Sequence, residues 1–218
     1  MNDMPFSWEL FHQKPIIGIL RSIPGDIIQQ IIPLYIQAGF TTIEITMNTA
    51  GAEQLIQETA EAYGTTLNVG AGTVCNEKDL ANALHAGASF IVTPILNESV
   101  IRTCVENRIP IFPGAYTPTE IYTAWNLGAS MVKVFPANRL GPEYIQEVKA
   151  PLSQIKLVPT GGVTVNNFTD FFKAGADGVG MGSQLFNKTL LASRDWDGLL
   201  THFKSVHLAY EQLQNKQS

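Results

Sequence analysis

A chain of 218 residues that is 45% hydrophobic and 15% charged has enough apolar mass for one large core and too few charges for a disordered protein. Its net charge of -5, with no Lys/Arg-rich run, argues against a nucleic-acid or anionic-membrane surface but leaves room for a local anion site. Residues 1–8 have neither the basic nor the long apolar region of a secretion signal, and no apolar run approaches the ~20 residues that cross a bilayer, so a cytoplasmic protein is expected. Cys75 and Cys104 stand far apart without a CxxC or HExxH, which supports neither a disulfide framework nor a zinc site. His12, His85, His202 and His207 fall in segments of helical pattern and read as helix-surface residues.

Residues 1–14 are expected to form an N-terminal capping helix, with Phe6, Trp8, Leu10 and Phe11 placed to cover an apolar opening. Short β-like runs then recur at 15–20, 41–46, 67–72, 90–94, 109–114, 131–136, 156–161 and 178–183. Helical periodicity fills the intervals, as at 26–36 and 54–63, and a C-terminal helix is expected over 186–218. Several helices end on the same punctuation, at Gly39, Gly87, Gly128 and Gly175, where a left-handed cap leads into the next strand. Eight βα units, each too short to bury its own face, predict a single α/β domain over 1–218, closed as a (β/α)8 TIM barrel across 15–185. A doubly wound open sheet is the alternative, but no GxGxxG follows the first strand.

Barrels carry their chemistry at the C-terminal ends of the strands, and those ends are where polar residues and glycines collect here. Lys133 lies in an otherwise apolar run, on one strand face with Met131 and Phe135. Burying an unpaired ammonium costs several kcal/mol, so such a group tends to lose its proton, and a neutral amine can attack a carbonyl carbon to form a Schiff base. The competing reading is a lysine that snorkels to solvent or pairs with a carboxylate. Glu44, between Ile43 and Ile45, is a second ionisable group in an apolar run. It makes with Lys133 either a nucleophile and acid/base pair or a structural ion pair. Gly161-Gly162 and Gly182-Ser183, after the seventh and eighth runs, match the place where barrels hold phosphate on backbone N–H groups. Arg21 offers a planar fork for a carboxylate, or is a surface arginine, and Thr73 is placed to donate to the same carboxylate.

Read together, EIT at 44–46, GAGTV at 70–74, PG at 113–114, KVFPA at 133–137, PTGG at 159–162 and GxGS at 180–183 closely resemble the 2-keto-3-deoxy-6-phosphogluconate (KDPG) and 4-hydroxy-2-oxoglutarate (KHG) aldolases, a class I family. The resemblance implies a homotrimeric barrel without metal or organic cofactor, acting on a small 2-keto-3-deoxy sugar acid phosphate and releasing pyruvate. In it, Lys133 matches the Schiff-base lysine and Glu44 the acid/base that works through a bound water. Thr73 matches a carboxylate contact, Phe135 and Pro94 line the pocket, and Thr46 belongs to the same substrate-binding set. Gly161, Gly162, Gly182 and Ser183 match phosphate-loop positions, and Arg21 resembles a first-strand arginine that faces the carboxylate. Some members place an arginine shortly after the glutamate; this chain has Asn48, which leaves that role to Arg21 and Thr73. The wording from Glu44 to Thr49 resembles the 6-phosphogalactonate branch, whereas Thr160 resembles the gluconate branch. The expected reaction is cleavage of KDPG to pyruvate and glyceraldehyde 3-phosphate, with 4-hydroxy-2-oxoglutarate as a further substrate and the galactonate epimer as the alternative. Two other classes use the same glycine loops without needing Lys133: a phosphate-binding barrel isomerase or synthase, and a non-catalytic sugar-phosphate binding protein.

Overall fold

The computed structural model describes residues 5–215. The outer residues of the expected terminal helices, 1–4 and 216–218, lie outside the described residues. Strands β1 (Ile16–Leu20), β2 (Thr42–Thr46), β3 (Asn68–Gly72), β4 (Ile91–Val92) and β5 (Ile111–Phe112) are parallel neighbours in chain order. A second run joins β6 (Gly114–Ala115), β7 (Val132–Val134) and β8 (Leu157–Pro159), and β9 (Val179–Met181) returns to pair with β1. The gap between β8 and β9 is bridged at Thr160 and Gly180, which completes the ring. The expected fifth strand, 109–114, is split at Pro113, which has no N–H for a ladder. Its first half pairs with β4 and its second half with β7, and Lys133 N–H donates to the Pro113 carbonyl at 2.9 Å.

Strand alternation divides the apolar side chains into two cores. Ile16, Leu20, Ile43, Ile45, Val69, Ala71, Val132 and Val134 face outward into the cluster beneath the helices. Ile17, Phe90, Val92, Phe112, Met131 and Val158 point inward and, with Phe6 and Phe11, fill the N-terminal end of the ring. Phe6 and Phe11 come from the expected cap: α1 (Trp8–Gln13) starts on the Ser7 side chain, and Asn68 pins Ser7 by bonding both its N–H and its carbonyl. Residues that follow these inward positions toward the C-terminal end, among them Glu44 after Thr42 and Lys133 after Met131, belong to the open mouth.

The helices that pass outside the ring include α2 (Gly25–Gln37), α3 (Ala52–Tyr63), α4 (Glu77–His85), α5 (Glu98–Glu106), α6 (Pro118–Asn126), α7 (Gly141–Lys149) and α8 (Phe168–Lys173). Gly39, Gly87, Gly128 and Gly175 have φ values of +85, +89, +98 and +96°, the left-handed caps that the repeated punctuation predicts. The single C-terminal helix expected over 186–218 is instead two, α9 (Lys188–Ser193) and α10 (Trp196–Gln214). Arg194 turns the chain through left-handed backbone at φ 53°, and Asp195 then caps α10 by accepting from Gly198 N–H. No described helix is long and apolar enough to cross a membrane.

Candidate active site

Lys133 and Glu44 are buried in the mouth of the ring, at 2% and 1% exposure. Lys133 N–H and its neighbours are fixed in the ladder between β6 and β8, and Glu44 is held in register between Ile19 of β1 and Gly70 of β3. Gly72 makes room for the glutamate: a Cβ at that position would lie 2.5 Å from Glu44 Oε1. No carboxylate comes within 4.0 Å of Lys133 Nζ among the described residues, so the structural ion pair is not formed. The amine instead stands 5.1 Å from the centre of the Phe135 ring. Burial holds Lys133 below the ordinary lysine range; Glu44 opposes that shift and Arg21 adds to it. Burial likewise pushes the Glu44 carboxyl upward, against the pull of Lys133 and Arg21. Glu44 Oε1 is buried without a hydrogen-bond partner. Among the described residues no contact offsets the desolvation of this carboxylate oxygen and amine, and an arrangement of this kind is chemically capable of proton transfer and nucleophilic attack.

The rest of the expected set lies at the ends of the strands and along one cavity wall. Arg21 follows β1 directly and is exposed, yet its charge acts on both Lys133 and Glu44. Thr46 is fully buried, and its hydroxyl is occupied: it donates to the Leu20 carbonyl at 3.3 Å and meets Thr49 Oγ1 at 3.0 Å. Thr49 Oγ1 also accepts from Ser22 N–H at 3.0 Å, and Ser22 is itself in left-handed backbone, at φ 54°. Thr46 and Thr49 therefore fix the turn that carries Arg21. Thr73 adopts φ 57°, a conformation that is strained for a β-branched residue and directs its groups at the end of β3. Pro94 is half-buried after β4, where the missing side chain of Gly114 lets its carbonyl approach the neighbouring strand.

A cavity of about 800 Å³ opens beside this pair. Arg21, Phe135, Thr160, Gly161, Gly162, Gly182 and Ser183 line it, which joins seven of the expected residues in one wall. Lys133, Glu44, Thr46, Thr73 and Pro94 are not part of that wall, and the reactive pair meets it through Phe135 and Arg21. Gly161 and Gly162 have φ of +83 and +81°, and a side chain at Gly162 would collide with Asn138. Sequence reasoning missed what holds this loop: Asn167 donates to the Gly162 carbonyl at 3.2 Å and accepts from Thr164 N–H at 2.7 Å. The usable signal was an asparagine at the start of α8. It also missed Lys188 and Arg194, which complete the outer wall of the cavity from α9 and its end.

Residues 9–201 match the family of KDPG and KHG aldolases. The chain belongs to that family. Among known members, the 2-dehydro-3-deoxy-6-phosphogalactonate aldolase of Escherichia coli is 39% identical over 173 residues, 79% of this chain and 84% of that protein. The 2-dehydro-3-deoxy-phosphogluconate aldolase of Pseudomonas aeruginosa is 33% identical over 159 residues, 72% of each. A solved structure described as native KDPGal superposes with a TM-score of 0.85 at 35% identity, covering 92% of this chain and 96% of that one. For a KDPG/KHG aldolase, the (β/α)8 fold expected from the repeat is the family's own, and the aldolase reading stands ahead of the isomerase and the binding protein.

Proposed function

We propose that this aldolase works through a Schiff base on Lys133 and cleaves a 2-keto-3-deoxy-6-phospho sugar acid to pyruvate and glyceraldehyde 3-phosphate. The observation that carries the reading is a buried lysine with no carboxylate within 4.0 Å among the described residues, set near a buried Glu44 whose Oε1 has no hydrogen-bond partner among them. The Lys133 amine adds to the C2 keto carbon, and the carbinolamine loses water with a proton supplied by Glu44, giving a protonated imine. Glu44, through a water, takes the C4 hydroxyl proton. The C3–C4 electron pair moves into the imine, glyceraldehyde 3-phosphate departs as the aldehyde, and an enamine remains. Protonation at C3 and hydrolysis then release pyruvate and restore the free amine. Arg21 and Thr73 hold the C1 carboxylate, Phe135 and Pro94 confine the reacting carbons, and the backbone N–H groups of Gly161, Gly162, Gly182 and Ser183 take the phosphate. Assembly as a homotrimer belongs to the same proposal.

We take 2-keto-3-deoxy-6-phosphogalactonate as the first substrate to assay, because the galactonate relative is more similar than the gluconate one over a longer stretch. KDPG is kept as a second reading on a specific ground: Thr160 lines the cavity with a hydroxyl bonded only weakly, at 3.3 Å, to the Val158 carbonyl, and is free to take up a substrate hydroxyl. Borohydride reduction in the presence of pyruvate, followed by peptide mass spectrometry, is expected to give a pyruvate-derived adduct on Lys133. No adduct, under conditions that trap a known class I aldolase, overturns the Schiff-base reading. Comparing kcat/KM for the two epimers and for 4-hydroxy-2-oxoglutarate then fixes the substrate.

A further inference from the structure

The wall of the large cavity differs in charge from the chain as a whole. In a chain of net charge -5, its wall carries three cations, Arg21, Lys188 and Arg194, and no aspartate or glutamate. Such a wall selects an anion. The three cations are not equally available. Arg194 is engaged with Asp26 of α2 at 2.9 Å, a link that ties α9 to the β1–α2 turn across the cavity rim. Arg21 acts on the Lys133 and Glu44 end. Lys188 has no carboxylate within 4.0 Å among the described residues. It is the exposed first residue of α9, a few residues beyond Gly182 and Ser183, and lines the same cavity as they do, whereas Lys133 and Glu44 are not among the lining residues.

We infer that Lys188 is the cation that binds the phosphate end of the substrate and thereby sets this enzyme's preference for phosphorylated over unphosphorylated 2-keto acids. The inference rests on the aldolase reading above. A phosphate monoester carries close to two negative charges at neutral pH, whereas backbone N–H groups supply only partial positive charge. A substrate with a carboxylate at one end and a phosphate at the other then meets one unengaged cation at each end: Arg21 near the imine carbon and Lys188 at the glycine loops. An unphosphorylated acid such as 4-hydroxy-2-oxoglutarate leaves Lys188 without a partner, and gains nothing from it.

The test compares Lys188→Met and Lys188→Arg with a control, Lys204→Met, on the exposed side of α10 and off the cavity wall. Kinetics are measured with a 2-keto-3-deoxy-6-phospho sugar acid and with 4-hydroxy-2-oxoglutarate, and binding of inorganic phosphate by calorimetry. Lys188→Met is expected to raise KM for the phosphorylated substrate about tenfold, the scale of a lost charge-assisted contact, with the loss falling on KM more than on kcat. The ratio of kcat/KM between phosphorylated and unphosphorylated substrates falls with it, inorganic phosphate binds more weakly, and Lys188→Arg restores most of both. Equal losses on the two substrates, or phosphate affinity that matches the Lys204→Met control, overturn the inference. Failure of the aldolase reading registers separately, as the absence of a pyruvate adduct on wild-type protein, and the calorimetry still decides the role of Lys188 in that event.

Discussion

Lys14 and Lys133 are equally buried, at 2% exposure, and sit at opposite ends of the barrel. Before β1, Lys14 donates to Glu211 Oε1 at 3.0 Å, lies 2.5 Å from His207 Nδ1, and stands 5.3 Å from the centre of the Tyr210 ring, all three on α10. Lys133 has the Phe135 ring and, at more than 4.0 Å, the orphaned carboxyl of Glu44. Burial lowers both amines below their ordinary range. The same desolvation therefore accompanies a clasp between the first strand and α10 in one place and, on the proposed Schiff-base reading, a nucleophile in the other. What separates them is the supply of acceptors: a satisfied ammonium stabilises a fold, and an unsatisfied one is free to react.

That contrast breaks if the two lysines respond alike to the same substitution. Lys133→Met is expected to lower turnover by roughly 10⁴-fold or more, as loss of a nucleophile does, while leaving the thermal midpoint equal or higher because an unpaired polar group is replaced by an apolar one. Glu44→Gln comes next, with a slowing of ~100-fold or more in kcat, the scale of general acid-base help; an unchanged rate removes Glu44 from its role. Lys14→Met should do the reverse of Lys133→Met. It should keep activity per folded molecule and lose about 1 kcal/mol of stability in denaturant titration, a modest figure because Glu211 is 47% exposed.

The smallest effect is one of pH. His207 is held below its ordinary value by burial first and by Lys14 second, with Glu211 opposing. The unfolded chain thus takes up the proton more readily than the folded one. Stability from this contact is present above about pH 6.5, the unfolded histidine value, and drains away as the pH falls through the lower folded value. Melting scans from pH 7.5 downward should show a decline that His207→Asn flattens; identical profiles would separate the histidine from the clasp.

Lys133 was legible because its neighbours in sequence are also its neighbours in space: the apolar strand around it announces burial. Lys14 was not, since its partners lie 193 and 197 residues away and the sequence marks it only as the last residue of the expected capping helix. For the same reason His207, assigned to the helix surface, proves to face a buried ammonium. The βα repeat and the glycine caps were readable from local chemistry, as was the shared face of Met131, Lys133 and Phe135. The division of α9 from α10 was not, because Arg194 carries no propensity for the left-handed turn it makes. Thr46 shows a further limit: the resemblance put it in the substrate-binding set, but only the folded loop reveals that its hydroxyl serves Leu20 and Thr49.

The join at Thr160 and Gly180 gives the ring an uneven circumference. The β1–β2, β2–β3 and β7–β8 neighbours are zipped through three to five paired positions, whereas β3 and β4 share one pair, and β8 and β9 are joined by this one bridge and, below it, by Asp177 N–H donating to the Leu157 carbonyl at 2.9 Å. Both lips of the seam, 160–162 on one side and 180–183 on the other, carry residues of the cation-lined wall. On the proposed reading, an anion held by both lips is a stitch across a sparsely bonded part of the cylinder, and its binding adds to the free energy that keeps the cylinder shut. The filled barrel is thus harder to open than the empty one by the free energy of anion binding, and a change that weakens the anion's hold shrinks that margin.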